Sequence, residues 1–172
     1  NLYRALMLGL KNYMTNNGFR FAHLGLSGGI DSALTLAILA DTIDSENIHS
    51  FYLPSKFSSN DSKKDAEALS KNVGIKTSEI SIEILRNTVI KHLNPIFKKF
   101  NEDVTEENIQ SRLRGLILMA LSNKLDSLLV TTGNKSELAV GYSTLYGDMC
   151  GGYSLLKDVY KTDVFVSFIN IF

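Results

Sequence analysis

The stretch HLGLSGGIDSALTLAILAD, residues 23–41, decides the fold. An apolar run leads into two adjacent glycines and an Asp-Ser pair, and an Ala- and Leu-rich segment follows. The pattern predicts a strand over 20–26, a tight turn, and a helix over 30–43. Such a turn can bind the phosphates of a nucleotide, carry a nucleophilic serine, or only connect a strand to a helix.

Helices and strands alternate along the rest of the chain. The predicted helices span 2–16 with Gly18 as the stop, 59–73, 83–99 with an interruption at Pro95, and 106–125 with Thr105 as N-cap. The further predicted strands span 48–54, 74–82 and 127–134. This alternation predicts an α/β fold, a doubly wound and mainly parallel sheet with helices on both faces. Ligands bind such sheets at the carboxyl ends of the strands, where the loops after Leu26 and Val130 lie.

Composition limits the classes of function. The chain has 172 residues, 18 basic and 18 acidic side chains and 44% hydrophobic residues, which is typical of one domain with a hydrophobic core. A net charge of zero without a basic block argues against nucleic acid as a partner. The apolar runs are shorter than the roughly 20 residues that span a bilayer, so we expect no membrane partner and a cytoplasmic location. Cys150 is the only cysteine, and we expect it to be a buried or an ordinary free thiol.

Three known motifs compete for the Gly-rich turn. A Walker loop needs a lysine after its last glycine, and none follows Gly28 or Gly29. A dinucleotide fingerprint needs a glycine where Ser27 stands. GLSGG, residues 25–29, does match the nucleophile elbow of α/β-hydrolases. That elbow also requires a late histidine and an earlier oxyanion loop, and no histidine follows His92, so the hydrolase interpretation is disfavoured.

The remaining interpretation is a phosphate-binding loop over residues 27–32. Its glycines let the backbone approach an anion, Ser27 and Ser32 offer hydroxyl donors, and the helix N-terminus supplies free N–H groups. A carboxylate beside phosphates is repulsive unless a divalent cation lies between them, so Asp31 implies Mg²⁺. The simpler alternative is that Asp31 only complements the helix dipole, which is worth about 0.3–1 kcal/mol.

SGGIDS, residues 27–32, resembles the SGGxDS signature of the PP-loop, or N-type, ATP pyrophosphatases, which cleave ATP between the α- and β-phosphates. The blocks over 53–75, 105–124 and 128–165 resemble the synthetase domain of the NAD synthetases, especially of the glutamine-dependent form. The resemblance implies a Rossmann-like adenine nucleotide alpha hydrolase fold for one ATP-binding domain over residues 1–172. The apolar end VFVSFINIF, 164–172, suggests that this domain is truncated.

The resemblance also implies roles for single residues. The ATP-binding set is Gly25, Leu26, Ser27, Gly28, Gly29, Ile30, Asp31, Ser32, Thr132 and Lys161. The catalytic set is Asp31, Glu137, Asp148 and Lys161, of which Asp31 and Glu137 would hold Mg²⁺. The deamido-NAD set is Asn108, Arg112, Glu137 and Tyr142.

Several of these residues have simpler interpretations. Asn134 and Glu137 have the spacing of a helix capping box. Lys161 could form an exposed ion pair with Asp158. Tyr142, at helical spacing from Tyr146, could belong to the core, and Arg112 could be a solvated helix residue.

The implied function is ATP-dependent amidation of deamido-NAD to NAD through an acyl-adenylate, with ammonia as nitrogen donor and AMP and pyrophosphate as products. The implied cofactors are ATP and Mg²⁺, and the implied assembly is a homodimer, with a separate glutaminase as one source of ammonia. Two other functions stay open: a truncated ATP-binding module without turnover, and another PP-loop ATP pyrophosphatase such as a tRNA thiolase. A thiolase should have extra cysteines or a basic face, and this chain has neither.

Overall fold

The structure, a computed structural model, describes residues 2–169 and contains one parallel sheet. The five strands are β1 Phe21–Gly25, β2 Ile48–Tyr52, β3 Thr77–Glu79, β4 Ser127–Thr131 and β5 Tyr153–Ser154. Their order is β3-β2-β1-β4-β5, and each neighbouring pair is parallel. The order therefore changes direction between β1 and β4, where Phe21 pairs with Ser127. The carboxyl ends of these two strands are the place where a doubly wound sheet offers a binding crevice.

Helices cover both faces of the sheet, which confirms the predicted fold class. They are α1 Leu2–Asn16, α2 Ile30–Thr42, α3 Asn60–Asn72, α4 Glu83–Phe97, α5 Val104–Leu125, α6 Lys135–Ala139 and α7 Lys161–Ile169, with a short 3₁₀ turn at Ser45–Asn47. On one face α2 packs against β1 and is surrounded by α1, α3 and α7. On the other face α5 packs against β1 and β4, and α4 packs on α5. Each face of the sheet has its own hydrophobic core. Successive strand residues point to opposite faces, so Tyr52 packs in the core beside α2 and Phe51 in the core beside α5.

The central helix α2 is buried around most of its circumference. Residues 32–39 are all buried, and Leu34, Leu36 and Ile38 have no exposed surface. A helix that is apolar all round lies in the middle of a protein, and α2 fills the space between the sheet and the outer helices. This burial fixes the N-terminus of α2, and with it the Gly-rich turn, against the end of β1.

Two details of the predicted helices were wrong. Thr105 is not the N-cap of α5; Asp103 is, because its carboxylate accepts the Thr105 N–H while Glu106 accepts the Asp103 N–H in a capping box. Pro95 does not interrupt α4, because it lies in the last turn and the helix ends two residues later at Phe97. The signal for the first correction was present in the sequence as Asp-x-x-Glu.

The sequence of α5 contains an apolar stripe that is only partly buried in the structure: Ile109, Leu113, Leu116, Ile117, Ala120 and Leu121. Ile117 and Leu121 pack against the core, but Leu116 and Ala120 are exposed, whereas Gln110 and Gly115 are buried. A Cβ at Gly115 would lie 2.9 Å from the carbonyl oxygen of Gly147, so the close approach of two backbones helps to select the buried side. Helical periodicity alone could not reveal this.

No helix within residues 2–169 is long and apolar enough to cross a membrane. The cytoplasmic location stays a prediction. The final part of the apolar run, 170–172, lies outside the described residues.

Candidate active site

The Gly-rich turn between β1 and α2 is held by its own hydroxyl groups. Ser27 Oγ accepts the Gly29 N–H at 3.2 Å, and Ser32 Oγ donates to the Gly29 carbonyl at 2.9 Å and lies 3.1 Å from Ser27 Oγ. Gly29 is the N-cap of α2, and it provides no side-chain cap to the first turn of the helix. The N–H groups at the start of α2 are therefore available to an external anion, as a phosphate loop requires.

Gly28 lies in the turn at the point where the neighbouring helix α3 comes closest. Its φ is +83°, and a Cβ there would lie 2.4 Å from the Ser62 carbonyl oxygen. Only glycine fits this left-handed position without strain. The first turn of α3, capped by Ser59, consequently lies against the phosphate loop.

Asp31 is the centre of a polar cluster built from three elements. Its Oδ2 accepts a hydrogen bond and ion pair from Lys161 Nζ at the start of α7, and its Oδ1 accepts from Asn134 Nδ2 at 3.0 Å. The Lys161 N–H also donates to Ser136 Oγ at 3.0 Å, which joins α7 to α6. The alternative ion pair of Lys161 with Asp158 is wrong, because the lysine turns inward to Asp31.

Asn134 and Glu137 form the capping box that their spacing indicated. Asn134 Oδ1 accepts the Glu137 N–H at 3.0 Å, and Glu137 Oε2 accepts the Asn134 N–H at 3.1 Å. Asn134 has no exposed surface. The capping role does not exclude a functional one, since Glu137 lines a cleft and Asn134 contacts Asp31.

The segment 141–150 after α6 is fastened to α5 by polar contacts. Asn108 Oδ1 accepts from Thr144 Oγ1 at 2.8 Å, and Arg112 Nε donates to the Leu145 carbonyl at 3.2 Å. Asp148 accepts the Thr144 N–H at 2.9 Å. Arg112 is thus exposed but makes a specific backbone contact.

The core interpretation of Tyr142 and Tyr146 is wrong. Their side chains are 78% and 80% exposed, and neither belongs to a helix. Tyr142 lies on the wall of a cleft and offers a free aromatic face there. Gly141, with φ +72°, turns the chain out of α6 just before it, which helical spacing did not anticipate.

Two clefts meet at the carboxyl ends of β1 and β4. The first, of about 580 Å³, has an apolar floor that includes Leu53, Leu118 and Val130. The second, of about 370 Å³, contains Asp31, Glu137 and Tyr142. Ser27, Thr131, Thr132 and Asp148 line both clefts. Both volumes fall in the range of small-molecule sites, and the two clefts share a wall.

The structure brings together most of the predicted site residues. Gly25 and Leu26 line the first cleft, Ser32 lines the second, and Lys161 reaches the second through Asp31. Gly28, Gly29 and Ile30 form the backbone of the turn beside them. Asn108 and Arg112 line neither cleft, and they contact the segment 141–150 instead.

A magnesium ion is compatible with the residues at the second cleft. Within residues 2–169 no group of three or more His, Cys, Asp or Glu side chains is placed to hold a metal ion. Mg²⁺ at nucleotide sites, however, is bound by one or two carboxylates together with phosphate oxygens and water. Asp31 and Glu137 supply that donor set at one cleft, so the residues fit a metal that arrives with a polyphosphate.

Sequence reasoning missed three contributors to the first cleft. Arg114 lines it, with Nε donating to the Leu53 carbonyl at 2.9 Å, and burial lowers the pKa of its guanidinium. Phe57 and Ser62 also line this cleft, and the ammonium of Lys56 lies over the Phe57 ring. The only sequence signals were a second arginine two residues after Arg112 and the serine run before α3.

His23 lines neither cleft, whereas Cys150 lies in the lining of the first. His23 has no exposed surface; Nε2 donates to the Leu118 carbonyl at 3.0 Å and Nδ1 accepts from Ser127 Oγ at 2.5 Å. Burial lowers the pKa of this ring, which keeps it neutral. Cys150 is a half-buried free thiol.

Known proteins share both this sequence and this architecture. The family model for NAD synthase matches residues 2–169. A glutamine-dependent NAD(+) synthetase from Xanthomonas campestris is 53% identical over 163 residues, which are 95% of this chain but 30% of that protein.

Two solved structures agree with this match. A glutamine-dependent NAD+ synthetase from Acinetobacter baumannii in complex with ADP superposes with a TM-score of 0.94 at 47% identity, over 96% of this chain and 31% of its own. An NH3-dependent NAD synthetase from Campylobacter jejuni in complex with nitrate gives 0.89 at 27% identity, over 99% of this chain and 72% of its own. The chain thus spans about a third or less of the two glutamine-dependent relatives. Because the family model matches residues 2–169, the chain belongs to the NAD synthase family.

Proposed function

We propose that this chain is the synthetase domain of an enzyme that converts deamido-NAD to NAD, using ATP to activate the nicotinate carboxylate. The observation that carries the proposal is the pair of clefts that share Ser27, Thr132 and Asp148 beside the free N-terminus of α2. A reaction between two nucleotides needs two binding spaces that meet at the reacting phosphate. The family membership and the relatives named as NAD synthetases support the same reaction.

ATP is proposed to bind with its base in the first cleft and its phosphates at the turn. The apolar floor of that cleft suits a planar base, and the Leu53 carbonyl, held by Arg114, marks its inner end. The N–H groups of the turn and the hydroxyls of Ser27 and Ser32 suit the phosphates. The complex of the Acinetobacter baumannii protein with ADP supports an adenine nucleotide here.

Deamido-NAD is proposed to place its nicotinate ring in the second cleft. Tyr142 offers a largely free aromatic face there, and aromatic rings stack with an energy of about 0.5–1.5 kcal/mol beyond area burial. Asn108 and Arg112 are proposed to serve this site by fixing the segment that carries Tyr142 and Asp148. Asp148, on the wall between the clefts, is proposed to lie near the entering ammonia.

The chemistry follows from the weakness of a carboxylate as an acyl donor. Its oxygen is a poor leaving group, and its charge repels nucleophiles. Attack of the nicotinate oxygen on the α-phosphorus breaks the bond to the β-phosphate and releases pyrophosphate, and ammonia then displaces AMP to form the amide. Positioning and charge neutralisation can supply this reaction, so Ser27 is assigned a binding role and not a nucleophilic one.

Mg²⁺, held by Asp31 and Glu137, would neutralise charge on the phosphate oxygens when bound. Lys157 lines the same cleft, and Lys161 pairs directly with Asp31; we propose that the Lys161 ammonium moves from Asp31 to the phosphates of ATP. The lysine side chain is 36% exposed, which leaves it room to move.

The nitrogen donor, ammonia, is also part of the proposal. The relatives include both a glutamine-dependent and an NH3-dependent synthetase, so free ammonia and a glutaminase are both candidate sources. A homodimer that completes the site is proposed with them.

The test is pyrophosphate release from Mg·ATP by this chain with and without deamido-NAD, followed by assay of NAD after ammonium is added. Release that depends on deamido-NAD supports the adenylation step, and NAD formed on ammonium addition supports the amidation. ATP binding without any release would favour the alternative of a non-catalytic ATP-binding module. Absence of ATP binding would refute both functions.

A further inference from the structure

Asn134 occupies an unusual place in the site because its three polar groups serve different partners. Its side-chain oxygen caps α6 at the Glu137 N–H, and its backbone N–H donates to the Glu137 carboxylate. Its side-chain nitrogen donates to Asp31 Oδ1. One fully buried residue therefore contacts both carboxylates that fit a metal: its side-chain nitrogen binds Asp31, and its backbone N–H binds Glu137.

The orientation of the Asn134 amide is dictated by its partners. A backbone N–H requires an acceptor, and a carboxylate requires a donor, so only one placement of the amide oxygen and nitrogen satisfies both. Capping alone needs only the oxygen. The nitrogen contact with Asp31 is an addition that an ordinary helix cap does not need.

The two oxygens of Asp31 differ in how firmly they are held. Oδ2 pairs with Lys161, whose side chain is partly exposed, whereas Oδ1 is bound to Asn134, which has no exposed surface. When the lysine moves away, Oδ2 becomes available to a cation while Oδ1 stays fixed. A carboxylate held by one oxygen presents the other in a single direction, without reorientation.

We propose that Asn134 is a positioning residue: it orients the Asp31 carboxylate for the metal–nucleotide and couples it to the Glu137 carboxylate. This inference rests on the proposed function, since it needs ATP and a divalent cation at this cleft. Groups that orient a metal ligand through a hydrogen bond commonly change metal affinity by about 10–100-fold when removed.

The experiment compares Asn134→Ser with Asn134→Ala by equilibrium dialysis of ATP over a series of free Mg²⁺ concentrations. Serine is as good an N-cap as asparagine, so it keeps the α6 cap, but it is too short to reach Asp31. We expect Asn134→Ser to raise the Mg²⁺ concentration for half-maximal ATP binding by about 10–100-fold with little change in Tm. Asn134→Ala should show the same Mg²⁺ effect with an added loss of Tm. Mn²⁺ electron paramagnetic resonance in the presence of ATP gives a second reading of bound metal.

The Asp31→Asn background separates positioning from a structural effect. If Asn134 acts through the Asp31 carboxylate, Asn134→Ser should add no further change there. A full additional change would overturn the inference, and so would an unaltered Mg²⁺ dependence in Asn134→Ser. Asn134→Thr, also a capping residue, replaces Asn134→Ser if the latter does not fold. ATP binding that is independent of Mg²⁺ in the unsubstituted chain would refute the metal assignment itself, whereas no ATP binding would refute the proposed function.

Discussion

The two adjacent glycines of the phosphate loop should differ sharply in their tolerance of a methyl group. In Gly28→Ala the new Cβ would lie 2.4 Å from the carbonyl oxygen and 2.9 Å from the Cα of Ser62, at a residue with φ +83°. The left-handed conformation costs a non-glycine residue about 1–2 kcal/mol. Overpacking against backbone adds about 1–3 kcal/mol. We therefore expect the free energy of unfolding to fall by about 2–5 kcal/mol.

Thermal denaturation followed by circular dichroism measures this loss. In a chain of this length 1 kcal/mol corresponds to about 2–4 °C, so Tm should fall by about 4–20 °C. ATP affinity should fall as well, because the turn can relieve the contact only by moving away from α3. Dialysis of ATP at a temperature well below the lowered Tm separates this effect from unfolding.

Gly29→Ala is the matched control. Gly29 has φ −83°, which any residue adopts, and its Cβ would lie 3.3 Å from Ser27 Oγ, a side-chain atom that can rotate. The change in stability should stay within about 1 kcal/mol. Equal losses of Tm in both variants would refute the reasoning, since the approach of α3 would then not be what requires glycine at position 28.

Three further predictions concern charge, protonation and packing. Asp31→Asn should slow pyrophosphate release by about 10²–10³-fold, and near-normal turnover at saturating Mg²⁺ would contradict its role. Desolvation lowers the pKa of buried His23, so the unfolded chain binds a proton that the native state excludes. The free energy of unfolding from urea titrations should therefore decline as the pH falls below about 6.5, and His23→Gln should flatten this decline. Leu36→Ala, at a position with no exposed surface, should cost about 2–5 kcal/mol in the same assay.

The predictions for His23 and Leu36 would each be contradicted by one specific result. An unchanged pH profile in His23→Gln would mean that another group causes the acid sensitivity. A loss below about 1 kcal/mol in Leu36→Ala would mean that α2 can collapse onto the space left behind.

The larger elements of the fold could be predicted from the sequence because their patterns are long. The buried helix α2 and the apolar strands β1 and β4 are continuous runs whose type is fixed locally. The two-residue strand β5 could not be predicted, since it exists only by pairing Tyr153 with Val130. Short helices such as α6 likewise depend on their caps and neighbours more than on periodicity.

The candidate site divides in a similar way. The turn at residues 27–32 could be recognised because glycine and serine requirements are local. Local patterns could not reveal the cluster around Asp31, because Lys161 and Asn134 reach it from separate elements; only the resemblance grouped Lys161 with Asp31, and nothing placed Asn134 there. The burial of Gly115 beside Gly147 could not be predicted from the sequence either, because it results from the close approach of two backbones that are far apart in sequence.

The neighbouring positions of β1 and β4 have a consequence for how the protein folds. Asp31 and Asn134 are 103 residues apart in sequence, and Asp31 and Lys161 are 130 residues apart. Contacts of such high sequence separation pay their loop-closure entropy late, after local helices and the β1–β2 pair can form. We therefore expect the proposed nucleotide site to form late in folding, when the sheet is completed. ATP at 100 times its Kd would add about 2.7 kcal/mol to the native state. That gain should appear as slower unfolding with an unchanged refolding rate. ATP would then stabilise the folded domain without accelerating its folding.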